Sequence, residues 1–386
     1  MVNSVRFHPA DRAAVAPFYV MRVLAAAARR AEQGHPLFNL AAGQPSTPAP
    51  APVLAAAHQA LDEQILGYTE TPGIAGLRRA IAGHYRWRYD LDVDPADVMV
   101  TTGSSGGFLL AFLAAFDSGA RVGLTRPGYP AYRNILHALG CEVVDLPCGP
   151  ATRYQPTPQM VEDLGLDGLV VASPANPTGT MLSADELSAL ARHCAKTGVR
   201  LISDEIYHGI TYTGSTSCSW ATDRSGFVVN SFSKYFSMTG WRIGWLLVPG
   251  DLIDVIDALA GNLAICPPAL AQYAALAAFE SYAECDGHVT RYAVNRDLLL
   301  DGLRRLGIDR LAPADGAFYV YADISHLTHD SPAFCARLLA EAGVAAAPGT
   351  DFDPIDGHRF LRLSFAGATS TIAGAVTALE SFLAGR

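Results

Sequence analysis

The middle of the sequence, from about residue 46 to residue 285, alternates short apolar runs with longer stretches of helical periodicity. Most of the apolar runs lack polar alternation, which predicts strands buried on both faces of a mostly parallel sheet wrapped by helices. The chain is therefore predicted to be an α/β protein. The predicted strands are Val98–Thr102, Arg121–Thr125, Gly168–Ala172, Val199–Asp204, Phe227–Phe232 and Arg242–Val248.

Helices are predicted between these strands, at Gly106–Phe116 and at Ser183–Thr197. The second begins S-A-D-E, a capping box in which Ser183 and Glu186 satisfy each other's free backbone amides, and it ends at Gly198. From about Gly287 the pattern changes to a smaller mixed set of elements. This set comprises a helix, a strand at Gly316–Tyr321, a helix at Pro332–Ala342 and a strand at Phe360–Phe365.

These patterns predict three parts of the chain. Residues 46–285 are expected to form a large ligand-binding domain and residues 286–386 a small C-terminal domain. The N-terminal segment 1–45 is expected to pack with the small domain. A length of 386 residues is sufficient for two domains with large buried cores.

The chain carries 37 acidic against 28 basic side chains, a formal net charge of −9, without a basic cluster. Nucleic acid and anionic membranes are therefore poor candidate partners, because both are bound by clustered positive charge. The 7 cysteines are scattered and form no C-x-x-C pair, so no metal site is expected. The protein is predicted to be cytoplasmic. Of the basic residues only Lys196 and Lys234 are lysines.

Polar side chains follow several predicted strands, where a doubly wound sheet binds its ligands. The first strand leads into the Gly/Ser turn Thr102–Gly107, whose free amides could bind an anion. Tyr129 and Asn176 lie in the turns after the second and third strands. Asp204 ends the fourth strand, and a carboxylate at such a position is costly unless it meets a positive partner.

The two lysines differ in their sequence context. Lys196 lies near the polar end of an amphipathic helix, where a solvated ammonium group is the ordinary outcome. Lys234 lies in N-S-F-S-K, directly after a predicted buried strand, with Arg242 eight residues further on. Lys234 is therefore the candidate for an amine whose reactivity is adjusted by its surroundings.

Four of these segments together resemble the class I and II aminotransferases, the pyridoxal-phosphate enzymes of fold type I. They read N-P-T-G from Asn176, D-E-I-Y from Asp204, S-F-S-K from Ser231 and G-W-R-I-G from Gly240. Such a combination, in this order, is far more specific than any one motif. Within the family, the sequence resembles actinobacterial aspartate and valine–pyruvate aminotransferases. The resemblance implies a mostly parallel seven-stranded sheet with helices on both faces, a smaller α+β domain, and ping-pong transfer of an amino group between an α-amino acid and a 2-oxo acid.

The resemblance also implies roles for individual residues. Lys234 would attach pyridoxal 5'-phosphate covalently and later move a proton, with Asp204 pairing the pyridine nitrogen and Tyr207 and Asn176 bonding the phenolic oxygen. Tyr129 would stack on the ring. The phosphate would be held by the backbone at Ser104 and Ser105, the hydroxyls of Ser231 and Ser233, and Arg242.

Two further matches concern the substrate and the second subunit. Arg362, assisted by Asn176 and by the backbone at Gly43, resembles the arginine that binds the substrate α-carboxylate. Tyr68 matches a tyrosine that reaches the phosphate of the other subunit, which implies a homodimer.

Other reactions remain open at this stage. The same cofactor-binding residues serve β-lyases, decarboxylases and synthases, so the lysine alone does not fix the reaction. Gly103–Gly107 also satisfies G-x-S-x-G between a strand and a helix, the nucleophile motif of α/β-hydrolases, with Ser105 as nucleophile and His326 or His358 as candidate bases. That hydrolase hypothesis leaves the Lys234 segment unexplained.

Ser105 bears on the substrate. In aspartate-specific members a lysine of the Gly-rich turn helps to bind the side-chain carboxylate, and Ser105 occupies the corresponding position here. A buried unpaired carboxylate costs several kcal/mol. The sequence therefore favours a neutral aliphatic substrate such as valine or alanine, with aspartate as the alternative.

Overall fold

A computed structural model describes residues 8–385. Residues 1–7 of the predicted N-terminal segment 1–45, and residue 386 of the predicted small domain, lie outside the described residues. The strands are β1 (Phe38–Asn39), β2 (Val98–Thr101), β3 (Arg121–Arg126), β4 (Glu142–Pro147), β5 (Gly168–Ala172), β6 (Arg200–Asp204), β7 (Phe227–Ser231), β8 (Gly244–Leu247), β9 (Tyr319–Asp323), β10 (Val344–Ala345), β11 (Ala347–Pro348) and β12 (Phe360–Ser364). The helices are α1 (Tyr19–Glu32), α2 (Ala51–Glu63), α3 (Ala75–Tyr89), α4 (Gly103–Ala115), α5 (Pro130–Ala138), α6 (Pro158–Val161), α7 (Ala184–Thr197), α8 (Ile253–Ala264), α9 (Ala269–Leu276), α10 (Tyr282–Arg305), α11 (Ser331–Ala342) and α12 (Thr369–Ala384).

The central sheet has seven strands in the order β2-β8-β7-β6-β5-β3-β4. Only β8 is antiparallel to its neighbours, so the predicted mostly parallel seven-stranded sheet is confirmed. From β3 the chain runs outward to β4 and then returns to β5 on the other side of β3. Such a change of direction opens a crevice beyond the carboxyl ends of the strands, where ligands bind in doubly wound sheets.

Both faces of this sheet are buried, which explains why its strands are apolar without alternation. Val170 and Ile202 belong to one hydrophobic core, formed with α4, α5 and α8. Their neighbours Leu169 and Leu201 point to the opposite face and pack in the core that contains α7. The predicted helices on both faces are therefore confirmed.

Three sequence predictions differ from the structure for identifiable reasons. The edge strand β4 was not predicted because most of its side chains are at least partly exposed, so it carries no apolar run. The predicted strand Arg242–Val248 begins two residues later, because Arg242 has φ = 51°. A positive φ also occurs at Ala317, and β9 therefore begins at Tyr319 instead of Gly316. Left-handed backbone does not continue a strand.

The start of α4 differs in the other direction. The helix was predicted from Gly106, but it begins at Gly103, so Ser104 and Ser105 lie in its first turn. Gly103 has φ = 69°, and a Cβ there would lie 2.5 Å from Nη2 of Arg242. The glycine is therefore required where the arginine crosses the helix start.

The C-terminal elements form a smaller antiparallel sheet, β11-β12-β9, which packs with α10 and α11, and α12 packs on these two helices. Helix α1 contacts β10, β11 and α11. The carboxylate of Asp351 accepts hydrogen bonds from the backbone amides of Tyr19 at 2.8 Å and Val20 at 2.6 Å. These amides belong to the first turn of α1 and have no partner inside the helix. Asp351 therefore fixes the start of α1 to the segment after β11.

None of the helices within residues 8–385 combines the length and apolar character needed to cross a membrane.

Candidate active site

A cavity of about 230 Å³ lies beyond the carboxyl ends of β3, β5, β6 and β7. Its walls come from four parts of the structure: the loops and helix starts that follow the strands of the large sheet, the small sheet, the start of α1, and the segment after β1. Most of the site residues predicted from the sequence line this cavity: Gly43, Ser104, Ser105, Tyr129, Asn176, Asp204, Tyr207, Ser233, Lys234, Arg242 and Arg362. Positions distant in the sequence are thus brought to one place.

Asp204 is the buried acid of this cavity, with 5% of its surface exposed. One carboxylate oxygen accepts a hydrogen bond from the backbone amide of Ile206 at 3.1 Å, and the other accepts one from the hydroxyl of Tyr132. Burial raises the pKa of Asp204 to about 6, although both hydrogen bonds and the charge of Lys234 oppose the rise. A cationic group entering the cavity would meet an acceptor that is already oriented.

The amine of Lys234 lies in the same cavity and donates a hydrogen bond to the carbonyl oxygen of Gly43 at 2.6 Å. Burial, then the charge of Arg362, lowers its pKa to about 8, with Asp204 acting in the opposite direction. An amine with such a pKa is partly neutral near physiological pH, and neutral amines are nucleophilic.

Arg362 lies on β12 and is 3% exposed. It donates to Oδ1 of Asn176 at 3.0 Å and to the carbonyl oxygen of Ala41 at 2.6 Å. Its guanidinium carbon lies 4.5 Å from the ring centre of Tyr319 and 4.7 Å from that of Phe352. Its Nε is buried without a partner. A rigidly held guanidinium with unused donor capacity suits a bidentate carboxylate ligand.

The other end of the cavity is formed by the start of α4. Thr102, the residue before this 13-residue helix, makes no side-chain cap, so the first-turn amides at Ser104 and Ser105 have no cap partner. Arg242 lines the cavity beside them and donates to the carbonyl oxygen of Thr239 at 3.0 Å. Free amides, a helix dipole and a guanidinium together form an anion site.

Two residues selected from the sequence are not among those that line the cavity. Ser231 is buried, and its hydroxyl contacts Oγ of Ser233 at 2.8 Å and the carbonyl oxygen of Ile243 at 3.0 Å. Ser231 thus lies beside Ser233, which does line the cavity, and its contact with a ligand phosphate stays a prediction. Tyr68 lies between α2 and α3 and is 83% exposed, outside its own subunit's cavity.

The structure adds contacts that the sequence did not predict. Tyr132 bonds Asp204, and Tyr319 bonds Tyr207 through hydroxyl oxygens 2.7 Å apart. Apolar side chains from the start of α1 also line the cavity: Phe18, Val20, Met21 and Leu24. The two tyrosines could have been found only by knowing which strand ends meet, whereas the α1 residues read as ordinary helix positions.

The hydrolase hypothesis fails on this geometry. Ser105 lines the cavity, but no histidine is among the described residues that do so. One of the candidate bases, His358, instead has Nδ1 2.9 Å from the carbonyl oxygen of Ile355. Among the described residues that line the cavity, Ser105 therefore has no histidine to act as its base. Over residues 8–385, the structure also contains no group of three or more His, Cys, Asp or Glu side chains able to hold a metal ion.

Comparison with known proteins gives a consistent result. The sequence profile "Aminotransferase class I and II" matches residues 35–379. The valine–pyruvate aminotransferase of Mycobacterium tuberculosis is 59% identical over 378 residues, 96% of this chain and 97% of that protein. The aspartate/prephenate aminotransferase of Thermus thermophilus is 35% identical over 361 residues, 92% of each. A crystal structure of an aminotransferase from Mycobacterium tuberculosis superposes with a TM-score of 0.97 at 58% identity, covering 99% of this chain and 100% of that one.

The lowered pKa of Lys234 can be tested directly, because the chain has only two lysines. Reductive methylation of the cofactor-free protein, followed residue by residue with mass spectrometry, should reach half its maximal rate at Lys234 near pH 8. In the denatured chain the same residue should reach it only above about pH 10, the range of an unperturbed lysine. A half-maximum near pH 10 in the folded protein would contradict the assignment.

Proposed function

The chain belongs to the class I and II aminotransferases, and we propose that it transfers the amino group of a neutral aliphatic amino acid, such as valine or alanine, to a 2-oxo acid. It is an enzyme, and its cofactor is pyridoxal 5'-phosphate. The observation that carries the proposed reaction is the grouping of Lys234, Asp204 and Arg362 around one cavity.

The cavity residues fit this cofactor. The uncapped first turn of α4, with Arg242 and Ser233 beside it, would hold the phosphate. Asp204, already oriented by Tyr132 and Ile206, would pair with the pyridine nitrogen. We assign Asn176 and Tyr207 to the phenolic oxygen and Tyr129 to the face of the ring, as the family resemblance implies.

When bound, pyridoxal phosphate supplies a ring that accepts electrons from the substrate and carries the amino group between half-reactions. Lys234 supplies the amine that holds the cofactor and afterwards moves a proton as a general acid and base. Its pKa of about 8 suits both uses. Asp204 favours the protonated pyridine nitrogen, and Arg362 orients the substrate through its carboxylate.

Four observations support a neutral aliphatic substrate. Within residues 8–385, the cations that line the cavity are Lys234, Arg242 and Arg362, and all three have other proposed roles. Ser105 offers only a hydroxyl where a cation would be needed for a side-chain carboxylate. The start of α1 adds apolar surface, and the relative with 59% identity is named a valine–pyruvate aminotransferase.

We also propose that the active unit is a cytoplasmic homodimer in which Tyr68 binds the phosphate in the other subunit's cavity. Tyr68 is 83% exposed, and the neighbouring Ile65 is 99% exposed. An apolar side chain that exposed, beside a tyrosine outside its own cavity, supports a contact surface at this segment.

The cysteines within residues 8–385 are free thiols, six of them buried, which supports a reducing compartment.

Replacement of Lys234 by Ala is expected to abolish the visible absorbance of the lysine-bound cofactor and the transfer of amino groups. Lys196→Ala is the matched control, because Lys196 lies on α7 away from the cavity, and it should retain both properties. Absorbance spectra and single-turnover conversion with an amino acid would show the difference. If the wild-type enzyme releases ammonia, carbon dioxide or a thiol from an amino acid in place of a 2-oxo acid, it is a lyase or decarboxylase instead.

Ser105→Lys is expected to shift substrate preference toward aspartate. A lysine paired with the side-chain carboxylate should raise kcat/KM for aspartate relative to valine by about tenfold or more, since about 1.4 kcal/mol corresponds to a factor of ten. The measurement is kcat/KM for valine, alanine and aspartate with pyruvate and 2-oxoglutarate. Ser105→Gln adds length without charge and should leave the preference for neutral substrates. A wild-type enzyme that prefers aspartate would refute the proposed substrate.

Hybrid dimers test the position of Tyr68. Tyr68→Phe should weaken cofactor binding by about tenfold through loss of one hydrogen bond to a charged group. In a hybrid of a Tyr68→Phe subunit and a Lys234→Ala subunit, one site contains both native residues only if Tyr68 acts across the interface. That hybrid should recover wild-type cofactor affinity at one site, measured by titration of its absorbance. If the affinity stays at the Tyr68→Phe value, Tyr68 acts within its own subunit or not at all.

A further inference from the structure

Two tyrosines from different parts of the molecule meet in the cavity. Tyr207 follows β6 of the large sheet, and Tyr319 begins β9 of the small sheet. Their hydroxyl oxygens lie 2.7 Å apart, and both side chains are buried. Each hydroxyl makes this single hydrogen bond with the residues that the structure describes.

The two hydroxyls carry two protons, but only one proton can lie between their oxygens. Burial raises the pKa of both phenols, so both hydroxyls are neutral near pH 7 and each carries one proton. One proton occupies the 2.7 Å contact, and the other must point elsewhere. The direction of the contact therefore decides which tyrosine offers a proton to a ligand.

The surroundings favour Tyr319 as the donor. The Arg362 guanidinium carbon lies 4.5 Å from the centre of its ring, and this charge opposes the rise that burial causes in the pKa of Tyr319. A positive charge above the ring makes a phenol a better hydrogen-bond donor. The cation above the Tyr207 ring, the amine of Lys234, is farther away, at 5.8 Å from the ring centre. The hydroxyl of Tyr319 is also packed against Gly43, where a Cβ would lie only 2.6 Å from it. That side has no room for another acceptor.

We propose that Tyr319 is a positioning residue which donates its proton to the hydroxyl of Tyr207 and thereby directs the Tyr207 proton into the cavity. There the hydroxyl of Tyr207 would donate a hydrogen bond to the phenolic oxygen of the cofactor. The inference depends on the role proposed above for Tyr207. It makes the small sheet a contributor to the cofactor's hydrogen bonding, through a residue that does not touch the phenolic oxygen.

The pH midpoint of the visible absorbance of the holoenzyme tests this chain of two hydrogen bonds. A donor to the phenolic oxygen stabilises its negative charge, so loss of the donor raises the midpoint. Tyr207→Phe should raise it by about one pH unit. Tyr319→Phe should raise it by about half a unit, because Tyr207 remains but its hydroxyl is less well directed. The double variant should match Tyr207→Phe, since Tyr319 acts only through Tyr207.

The outcomes separate the inference from the function it depends on. If Tyr207→Phe leaves the midpoint unchanged, the proposed role of Tyr207 is wrong, and the inference fails with it. If Tyr207→Phe shifts the midpoint but Tyr319→Phe does not, only the inference fails. Additive shifts in the double variant also overturn it. If Tyr319→Phe instead weakens binding of an aliphatic monocarboxylate inhibitor at an unchanged midpoint, then Tyr319 donates to the carboxylate and the inference is wrong.

Tyr321→Phe provides the matched control. Tyr321 lies two residues further along β9, is 1% exposed, and its hydroxyl has no hydrogen-bond partner. It does not line the cavity. Its replacement removes the same atom from the same strand and should leave the absorbance midpoint unchanged. A shift as large as that of Tyr319→Phe would show that the spectrum reports general loosening of the small sheet.

Discussion

Two buried charged residues, Asp204 and Arg362, face one cavity, and each requires partners because an unpaired buried charge costs several kcal/mol. The partners come from separate elements. Tyr132 and the amide of Ile206 serve Asp204, whereas Asn176 and the carbonyl of Ala41 serve Arg362. Meeting these requirements brings the ends of several strands, α5 and the segment after β1 to one place. The contacts that arrange the site therefore also hold the two sheets together.

The use of arginine and lysine follows from their chemistry. The two proposed anion sites employ Arg242 and Arg362, whose guanidinium groups remain charged and bind two oxygens at once. Lys234 lines the same cavity, and its amine can lose its proton near neutral pH because it is buried close to positive charges. An arginine could not supply a neutral nucleophile, and a lysine could not hold a carboxylate in two-point contact.

Much of this arrangement follows from the sequence, but not all of it. Buried parallel strands are visible as apolar runs, and motif order was sufficient to place Asp204, Lys234 and Arg362 in one site. Local sequence did not reveal the edge strand β4, which lacks such a run, or the left-handed residues Arg242 and Ala317 that move the starts of β8 and β9. Tyr132 and Tyr319 have meaning only through the residues they meet, which lie 72 and 112 positions away. The hydrogen bond of Ser231 to the carbonyl of Ile243 was likewise invisible in the motif, because it joins residues of two different strand ends.

The bonds from Asp351 to the start of α1 have a mechanical consequence. Asp351 follows β11, which pairs with the strand that carries Arg362, so the apolar wall from α1 and the carboxylate-binding guanidinium are attached to one small sheet. A displacement of that sheet carries both in the same direction. The distance between the apolar side chains of α1 and the guanidinium of Arg362 therefore stays the same when the sheet moves. This distance limits the size of the substrate side chain that fits between them.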